Sequence, residues 1–136
     1  MDLDAMQALF HAVAEDVEGG DGAWQFDVEG VRVACLTDSR FDRMRLIAPI
    51  ADASELTEEQ RDACLEANFH TALDARYATS DGVLYAAYLH PLGSLTEEDL
   101  HSALGQVVSL VLTYGDTYSG GTLVFGVPPG GGSAMN

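Results

Sequence analysis

The segment Val83-Leu84-Tyr85-Ala86-Ala87-Tyr88-Leu89 decides the fold class, because it is apolar at every position and follows the turn signal Ser80-Asp81-Gly82. An Asp-Gly pair between two short runs favours a tight hairpin, so the preceding run, Ala75–Thr79, is the expected partner strand. Successive side chains of a strand point to opposite faces, and here both faces are apolar. In a chain of 136 residues, helices cover one face of a sheet, and the second face is expected to need another subunit. The segment therefore predicts an antiparallel sheet and a homodimer.

Helix signals lie on both sides of this hairpin. Before it, Thr57 and Gln60 have the spacing of a capping box. Apolar residues then recur every four positions, at Leu65, Phe69 and Leu73. After the hairpin, Thr96 precedes three acidic residues that the helix dipole favours in a first turn. An apolar stripe follows, comprising Leu100, Leu104, Val107, Val108 and Val111.

The amino-terminal half predicts one more helix and three strands. A helix is expected over Asp2–Glu18, since apolar residues recur there every three or four positions, at Leu3, Met6, Phe10, Val13 and Val17. The run Gly19-Gly20-Asp21-Gly22 is expected to end it. Period-two alternation then predicts three strands, around Trp24–Val28, Val31–Cys35 and Met44–Ile50. Arg43 and Arg45 fall on the polar side of the third strand.

The predicted order of elements is α-βββ-α-ββ-α. Strands grouped between helices with hairpin-length connections indicate an α+β domain, with an antiparallel sheet flanked by helices. We expect one such domain over residues 1–127, with a short strand at Thr122–Phe125. Residues 128–136, which begin Pro-Pro-Gly-Gly-Gly-Ser, are expected to form a flexible tail.

The charge of the chain restricts its partners. It has 22 acidic residues against six arginines and no lysine, a formal net charge of −16. Nucleic acids and anionic membranes are bound through lysine and arginine, so neither is expected as a partner. No apolar run approaches the roughly 20 residues of a membrane span, and the amino terminus does not resemble a signal peptide. We therefore expect a cytoplasmic protein. Its acidity either attracts basic partners or serves solubility or a salty environment, and the sequence leaves these interpretations open.

No pattern of reactive residues indicates catalysis. The four histidines lack the spacings at which helices and strands converge on a metal ion. Cys64 and His70 are six residues apart on one predicted helix, and this separation puts them on different faces. Acidic pairs such as Glu58-Glu59 and Glu97-Glu98 lie in first helical turns, where the helix dipole explains them. We expect no enzyme activity, no catalytic residue, no cofactor and no metal site.

The carboxy-terminal half resembles a known family over Met44–Tyr114. The matching features are Leu65-Glu66-Ala67-Asn68-Phe69 at a helix end, the hairpin around Ser80-Asp81-Gly82, the strand end His90-Pro91-Leu92, and Leu95-Thr96 at a helix start. Together they resemble the type III secretion chaperones of the Tir-chaperone class and their YbjN-like relatives. The resemblance implies a homodimer that binds an extended segment of a client polypeptide, such as a secreted effector, and catalyses nothing. A YbjN-like regulatory or stress-related protein of unknown partner, with the same fold, is the alternative.

The resemblance also implies roles for individual residues. It implies client-binding residues in the first helix and first strands, which are Leu3, Met6, Phe10, Trp24 and Phe26 in this chain. It implies a dimer interface in the second helix and the strands that follow, with candidates Leu65, Phe69, Tyr85, Ala87 and Leu89. Arg43 and Arg45 are further candidates for the client site, as a basic strip that orients an acidic segment. The alternative interpretation of these arginines is that they neutralise nearby acids such as Asp27 and Asp42.

Overall fold

The computed structural model describes residues 1–121, which form one six-stranded antiparallel sheet and three helices. The strand order is β1-β2-β3-β4-β6-β5, and every neighbouring pair is antiparallel. The elements are α1 (Leu3–Val13), β1 (Glu15–Gly20), β2 (Ala23–Val28), β3 (Val31–Asp38), β4 (Arg43–Asp52), α2 (Glu58–His70), β5 (Arg76–Ser80), β6 (Val83–Pro91) and α3 (Glu97–Thr113). The predicted α+β class and antiparallel sheet are confirmed. The predicted strand at Thr122–Phe125 and the tail at 128–136 lie outside the described residues.

The prediction of a single long amino-terminal helix is wrong at its carboxyl end. The helix ends at Val13, and Glu15–Gly20 forms an additional edge strand, so that Val17 belongs to β1. The physical reason is the pair Asp21-Gly22, with φ of 55° and 94°, which turns β1 back onto β2. Two successive residues at positive φ are the requirement of the two-residue hairpin turn that matches strand twist. The Asp21-Gly22 pair therefore forms a hairpin turn rather than the end of a helix.

The same turn chemistry recurs in two more hairpins. Glu29-Gly30 connects β2 to β3, and Asp81-Gly82 connects β5 to β6. All four residues have φ between 49° and 81°. Glycine adopts this left-handed conformation without strain, and aspartate tolerates it better than β-branched residues do. Three of the sheet's connections are thus encoded locally, and the Asp81-Gly82 turn among them was predicted.

The helix starts follow the capping signals of the sequence. Thr57 Oγ1 accepts a hydrogen bond from the Gln60 amide, and the Gln60 side chain accepts one from the Thr57 amide. Thr96 and Asp99 form the equivalent box at the start of α3. These reciprocal bonds satisfy backbone donors that have no partner inside the helix, and a cap of this kind contributes about 1 kcal/mol.

The core lies between the sheet and the helices α1 and α3. Phe10 of α1 stacks on Phe26 of β2 with ring centroids 4.5 Å apart, and it meets the edge of Trp24 at 5.1 Å. The covered face of the sheet alternates with the exposed face along each strand, as in Met44, Leu46 and Ala48 against Arg43 and Arg45 of β4. From α3, the most deeply buried side chains are Leu100, Ala103, Val107 and Leu110. We call the other side of the sheet, which no described helix covers, the open face.

Candidate interaction surfaces

The client-binding residues predicted in α1 and β2 belong to the core. Met6, Phe10, Trp24 and Phe26 are buried, and Leu3 is partly buried. In this structure these residues do not form an exposed patch, because α1 packs its apolar stripe directly on β2. Gln7 reinforces this packing, since its Oε1 accepts a hydrogen bond of 2.8 Å from Trp24 Nε1. Contact of these residues with a client remains a prediction that requires α1 to move.

The helix α2 has the opposite distribution of apolar residues. The side chains it buries are small, Cys64 and Ala67, whereas Leu65 is 68% exposed and Phe69 is 84% exposed. Large exposed apolar side chains on one side of a helix are typical of a surface that another protein covers. Both residues were predicted at a dimer interface, and their exposure is compatible with that role.

The open face of the sheet carries a second apolar surface. Tyr85 is half-buried, Ala87 is buried by its neighbours, and Leu89 is 55% exposed, all on the outer side of β6. In register across the strands, Leu36 of β3 and Leu89 flank Arg45 of β4. Ala34, Ile47 and Ala87 form the adjacent row. The strand that is apolar on both sides therefore has one face in the core and one face directed away from the helices.

The arginines of the open face differ in their partners. Arg32 donates to the carboxylates of Asp27 at 3.1 Å and Glu18 at 2.9 Å, and to the carbonyl of Asp16. Arg43 and Arg45, which were predicted on this face, are exposed there, and Arg43 donates to the carbonyl of Asp42. Within residues 1–121, neither of these two guanidinium groups lies within 4.0 Å of a carboxylate. The interpretation that Asp27 neutralises charge on this face therefore applies to Arg32.

The two edges of the sheet are finished differently. At the β5 edge, the Asn68 side chain accepts a hydrogen bond of 2.8 Å from the Tyr77 amide and donates one of 3.0 Å to the Tyr77 carbonyl. The amide of Asn68 thus occupies the position that a further strand would take. At the β1 edge, the described part of the chain supplies a single outside contact to the backbone, from Arg32 to the Asp16 carbonyl. This edge is acidic, with exposed Glu15, Asp16 and Glu18.

Burial shifts the pKa values of titratable groups in the interior. Burial raises the pKa of the Cys35 thiol to about 12, and it raises the pKa of Cys64 as well. Both cysteines are free. Desolvation also raises the pKa of Tyr77, whose hydroxyl donates to the Leu110 carbonyl at 3.0 Å. Burial therefore favours the neutral forms of these groups, which suit packing in a core.

Residues 1–121 contain neither a cluster of metal ligands nor a helix that could span a membrane. Between Met1 and Gly121, no three His, Cys, Asp or Glu side chains are grouped so that they could hold a metal ion. Across the same residues, no helix combines the length and the apolar character needed to cross a membrane.

Two features of these surfaces were not predicted. Asn68 appeared in the sequence only as part of a helix-end motif, and its contact with Tyr77 spans a connection whose course the sequence does not specify. Leu36 was not assigned to any surface, although its position two residues after Ala34 on the outer side of β3 was a usable signal.

Comparison with known proteins supplies the context for these surfaces. No protein-family model and no curated protein matches the sequence. Among solved structures, a chain of the HopA1–SchA chaperone–effector complex matches 83% of this chain and 98% of its own length, with a TM-score of 0.58 and 11% identity. A chain of the ExsC–ExsE complex matches 82% of this chain and 92% of its own length, with a TM-score of 0.58 and 19% identity.

A third match is the Yersinia pestis type III secretion chaperone SycH in complex with a stable fragment of YscM2. It covers 82% of this chain and 98% of that chain, with a TM-score of 0.59 and 14% identity. Identities this low establish a shared fold and nothing further. The chain therefore has the fold of the type III secretion chaperones, as the resemblance predicted.

Proposed function

We propose that the protein is a non-enzymatic, homodimeric binding module that holds an extended segment of a client polypeptide. The observation that supports this proposal is the shared fold with chains of a chaperone–effector complex and of a secretion chaperone bound to a protein fragment. Two exposed apolar surfaces, on α2 and on the open face, suit protein contacts. A cytoplasmic location fits the same proposal.

The homodimer is proposed to form through α2 and the outer side of β6. Leu65 and Phe69 provide large side chains from α2, and Tyr85, Ala87 and Leu89 provide the sheet. Exposed side chains such as Leu65 and Phe69 favour contact with a partner, because burying each contributes about 1.5–3 kcal/mol. A two-fold dimer buries such a surface on both copies at once.

The client segment is proposed to add to the edge of β1. Addition of an extended peptide as a strand uses unpaired backbone groups at a sheet edge. Asn68 occupies that position at β5, whereas the β1 edge has little contact from the rest of the described chain. Because Glu15, Asp16 and Glu18 surround this edge, a client segment with basic residues is favoured over an acidic one.

The test of the function is a pull-down with the full-length tagged protein from its native cytoplasm, followed by size exclusion with light scattering. We expect a dimer of twice 14.5 kDa that carries one specific partner near stoichiometry. Phe69→Asp is expected to elute as a monomer, because it places a charge in the proposed interface. A wild-type dimer without partner supports the YbjN-like regulatory alternative, and a wild-type monomer contradicts the dimer.

The position of the client is tested separately by hydrogen exchange of the purified complex. If the client adds to β1, the amides of β1 become protected on binding and those of β5 do not change. Protection confined to α1 and β2 would contradict the edge and support displacement of α1 onto a client.

A further inference from the structure

The open face concentrates positive charge in an otherwise acidic protein. Four of the six arginines, Arg32, Arg43, Arg45 and Arg76, lie on this face of the sheet. Arg45 is at its centre, between Leu36 and Leu89 in one cross-strand row. Leu36 is 42% exposed. We call Leu36, Arg43, Arg45 and Leu89 the Arg45 patch.

The charge of Arg45 is not matched by the described chain. Arg32, by contrast, binds two carboxylates on the same face. Arg45 has no such partner within residues 1–121, although the protein has 22 acidic residues. A guanidinium group between two leucines is best paired with a carboxylate that has apolar side chains beside it, so that the leucines are covered as well. The Arg45 patch therefore fits an acidic surface that also carries large apolar side chains.

A surface with this composition exists on α2. Asp62, Leu65, Glu66 and Phe69 lie three or four residues apart on the solvent side of the helix, and all four are exposed. We call these residues the α2 outer stripe. It presents two carboxylates beside two of the most exposed apolar residues of the described chain. In charge and in apolar content, the stripe is complementary to the Arg45 patch.

The two surfaces are separate within one chain. The strand order places β6 and β5 between β4 and α2, and α2 packs beside β5 through Asn68 and Tyr77. A two-fold axis near Tyr85 and Ala87 would bring the α2 of each copy onto the sheet of the other. Such a reciprocal contact closes after two copies, as an isologous interface requires.

We propose that the Arg45 patch of one copy binds the α2 outer stripe of a second copy. Arg45 pairs with Asp62 or Glu66, and the leucines of the patch pack around Leu65 and Phe69. This inference rests on the proposed homodimer and assigns Arg45 to the dimer interface rather than to the client site. The pairing also adds ion pairs that fix how the two copies align, in addition to the apolar contacts of the dimer.

The test is a charge-reversal cycle on the full-length chain, with the dimer dissociation constant measured by sedimentation velocity over a dilution series. Arg45→Glu is expected to weaken the dimer by about tenfold or more, because it faces carboxylates. Arg45→Glu combined with Asp62→Arg and Glu66→Arg is expected to restore wild-type affinity. Arg40→Glu is the matched control, since it makes the same charge change in the loop, where Arg40 lies over the Phe41 ring.

The outcomes separate this inference from the dimer itself. A dimer that Phe69→Asp dissociates and that Arg45→Glu weakens no more than Arg40→Glu overturns the pairing and leaves the homodimer intact. Loss of the dimer in Arg45→Glu without rescue by the α2 reversals also overturns the pairing, because Arg45 then has another partner. A monomeric wild type overturns both. Circular dichroism and Trp24 fluorescence identical to wild type ensure that each variant is folded.

Discussion

The helices α1 and α2 accompany the same sheet but use their apolar residues in opposite ways. The largest apolar side chains of α1, Met6 and Phe10, are fully buried against β2. The large apolar side chains of α2, Leu65 and Phe69, are exposed, and that helix contacts the rest of the chain through small residues and Asn68. A helical apolar stripe therefore predicts a covered surface without specifying whether the chain itself or a partner covers it. We infer that α1 stabilises the fold, whereas α2 leaves its large apolar side chains exposed, as the proposed dimer requires.

The sharpest test of this contrast is the same substitution in each helix. Phe10→Ala removes a fully buried ring stacked on Phe26 and is expected to lower the free energy of unfolding by about 3–5 kcal/mol. Phe69→Ala removes an exposed ring and is expected to change the stability of the monomer by less than about 0.5 kcal/mol. Urea denaturation followed by Trp24 fluorescence measures both.

Protein concentration distinguishes the two effects further. The loss in Phe10→Ala is expected at every concentration, whereas Phe69→Ala differs from wild type only where the wild-type protein is dimeric. Equal losses in both variants in dilute solution would contradict the division of roles between α1 and α2.

A smaller loss of stability is expected when the hydrogen bonds between Asn68 of α2 and Tyr77 of β5 are removed. Asn68→Ala leaves the Tyr77 amide and carbonyl without their side-chain partners and is expected to cost about 1–3 kcal/mol of unfolding free energy. Hydrogen exchange of the Tyr77 amide should accelerate more than that of the rest of β5.

The near-isosteric variant Asn68→Asp tests the two hydrogen bonds separately. An ionised carboxylate accepts from the Tyr77 amide but cannot donate to the Tyr77 carbonyl, whereas the protonated acid can do both. Folding therefore favours the protonated form and raises the pKa of the introduced carboxyl. The deficit of Asn68→Asp relative to wild type should shrink as the pH falls through that pKa. A deficit that grows at acid pH would contradict the proposed role of the Asn68 amide.

The smallest effect is expected at the polar attachment of α1. Gln7→Ala removes the one acceptor that residues 1–121 supply to the Trp24 indole N–H, and it is expected to lower the unfolding free energy by about 0.5–1.5 kcal/mol. The Trp24 emission spectrum should also shift, because the indole loses a hydrogen bond. A loss as large as that of Phe10→Ala would mean that α1 is held mainly by this bond and would revise the comparison between the helices.

Much of the fold was predictable because its signals are local. The capping boxes at Thr57 and Thr96 each lie within four residues, and the alternation around Met44, Leu46 and Ala48 needs no information from elsewhere. The error at Glu15–Gly20 had a different origin. Val17 fits both a helical stripe and a strand, and the choice depends on pairing with β2 across the Asp21-Gly22 turn.

The interaction surfaces were less predictable, since they depend on which side of each element the rest of the chain covers. Phe10 and Phe69 occupy similar periodic positions in their helices, yet one is buried and the other exposed. The partners of Arg32 likewise depend on strand neighbours that are distant in sequence, as Glu18 is. The resemblance implied a binding role for both helices. The tertiary packing buries the apolar side of α1 and leaves that of α2 exposed.

The three tight hairpins also bear on how the chain reaches its native state. β1–β2, β2–β3 and β5–β6 each close through two residues, so their contacts form early, on the microsecond timescale of isolated hairpins. The pairing of β4 with β6 instead closes a loop that contains α2 and β5. Loop-closure entropy opposes this step. The β4–β6 pairing joins two halves of the sheet whose other strand pairs are between neighbours in sequence. The β4–β6 seam is therefore the expected kinetic barrier, and until it forms each half exposes an unpaired central strand to other nascent chains.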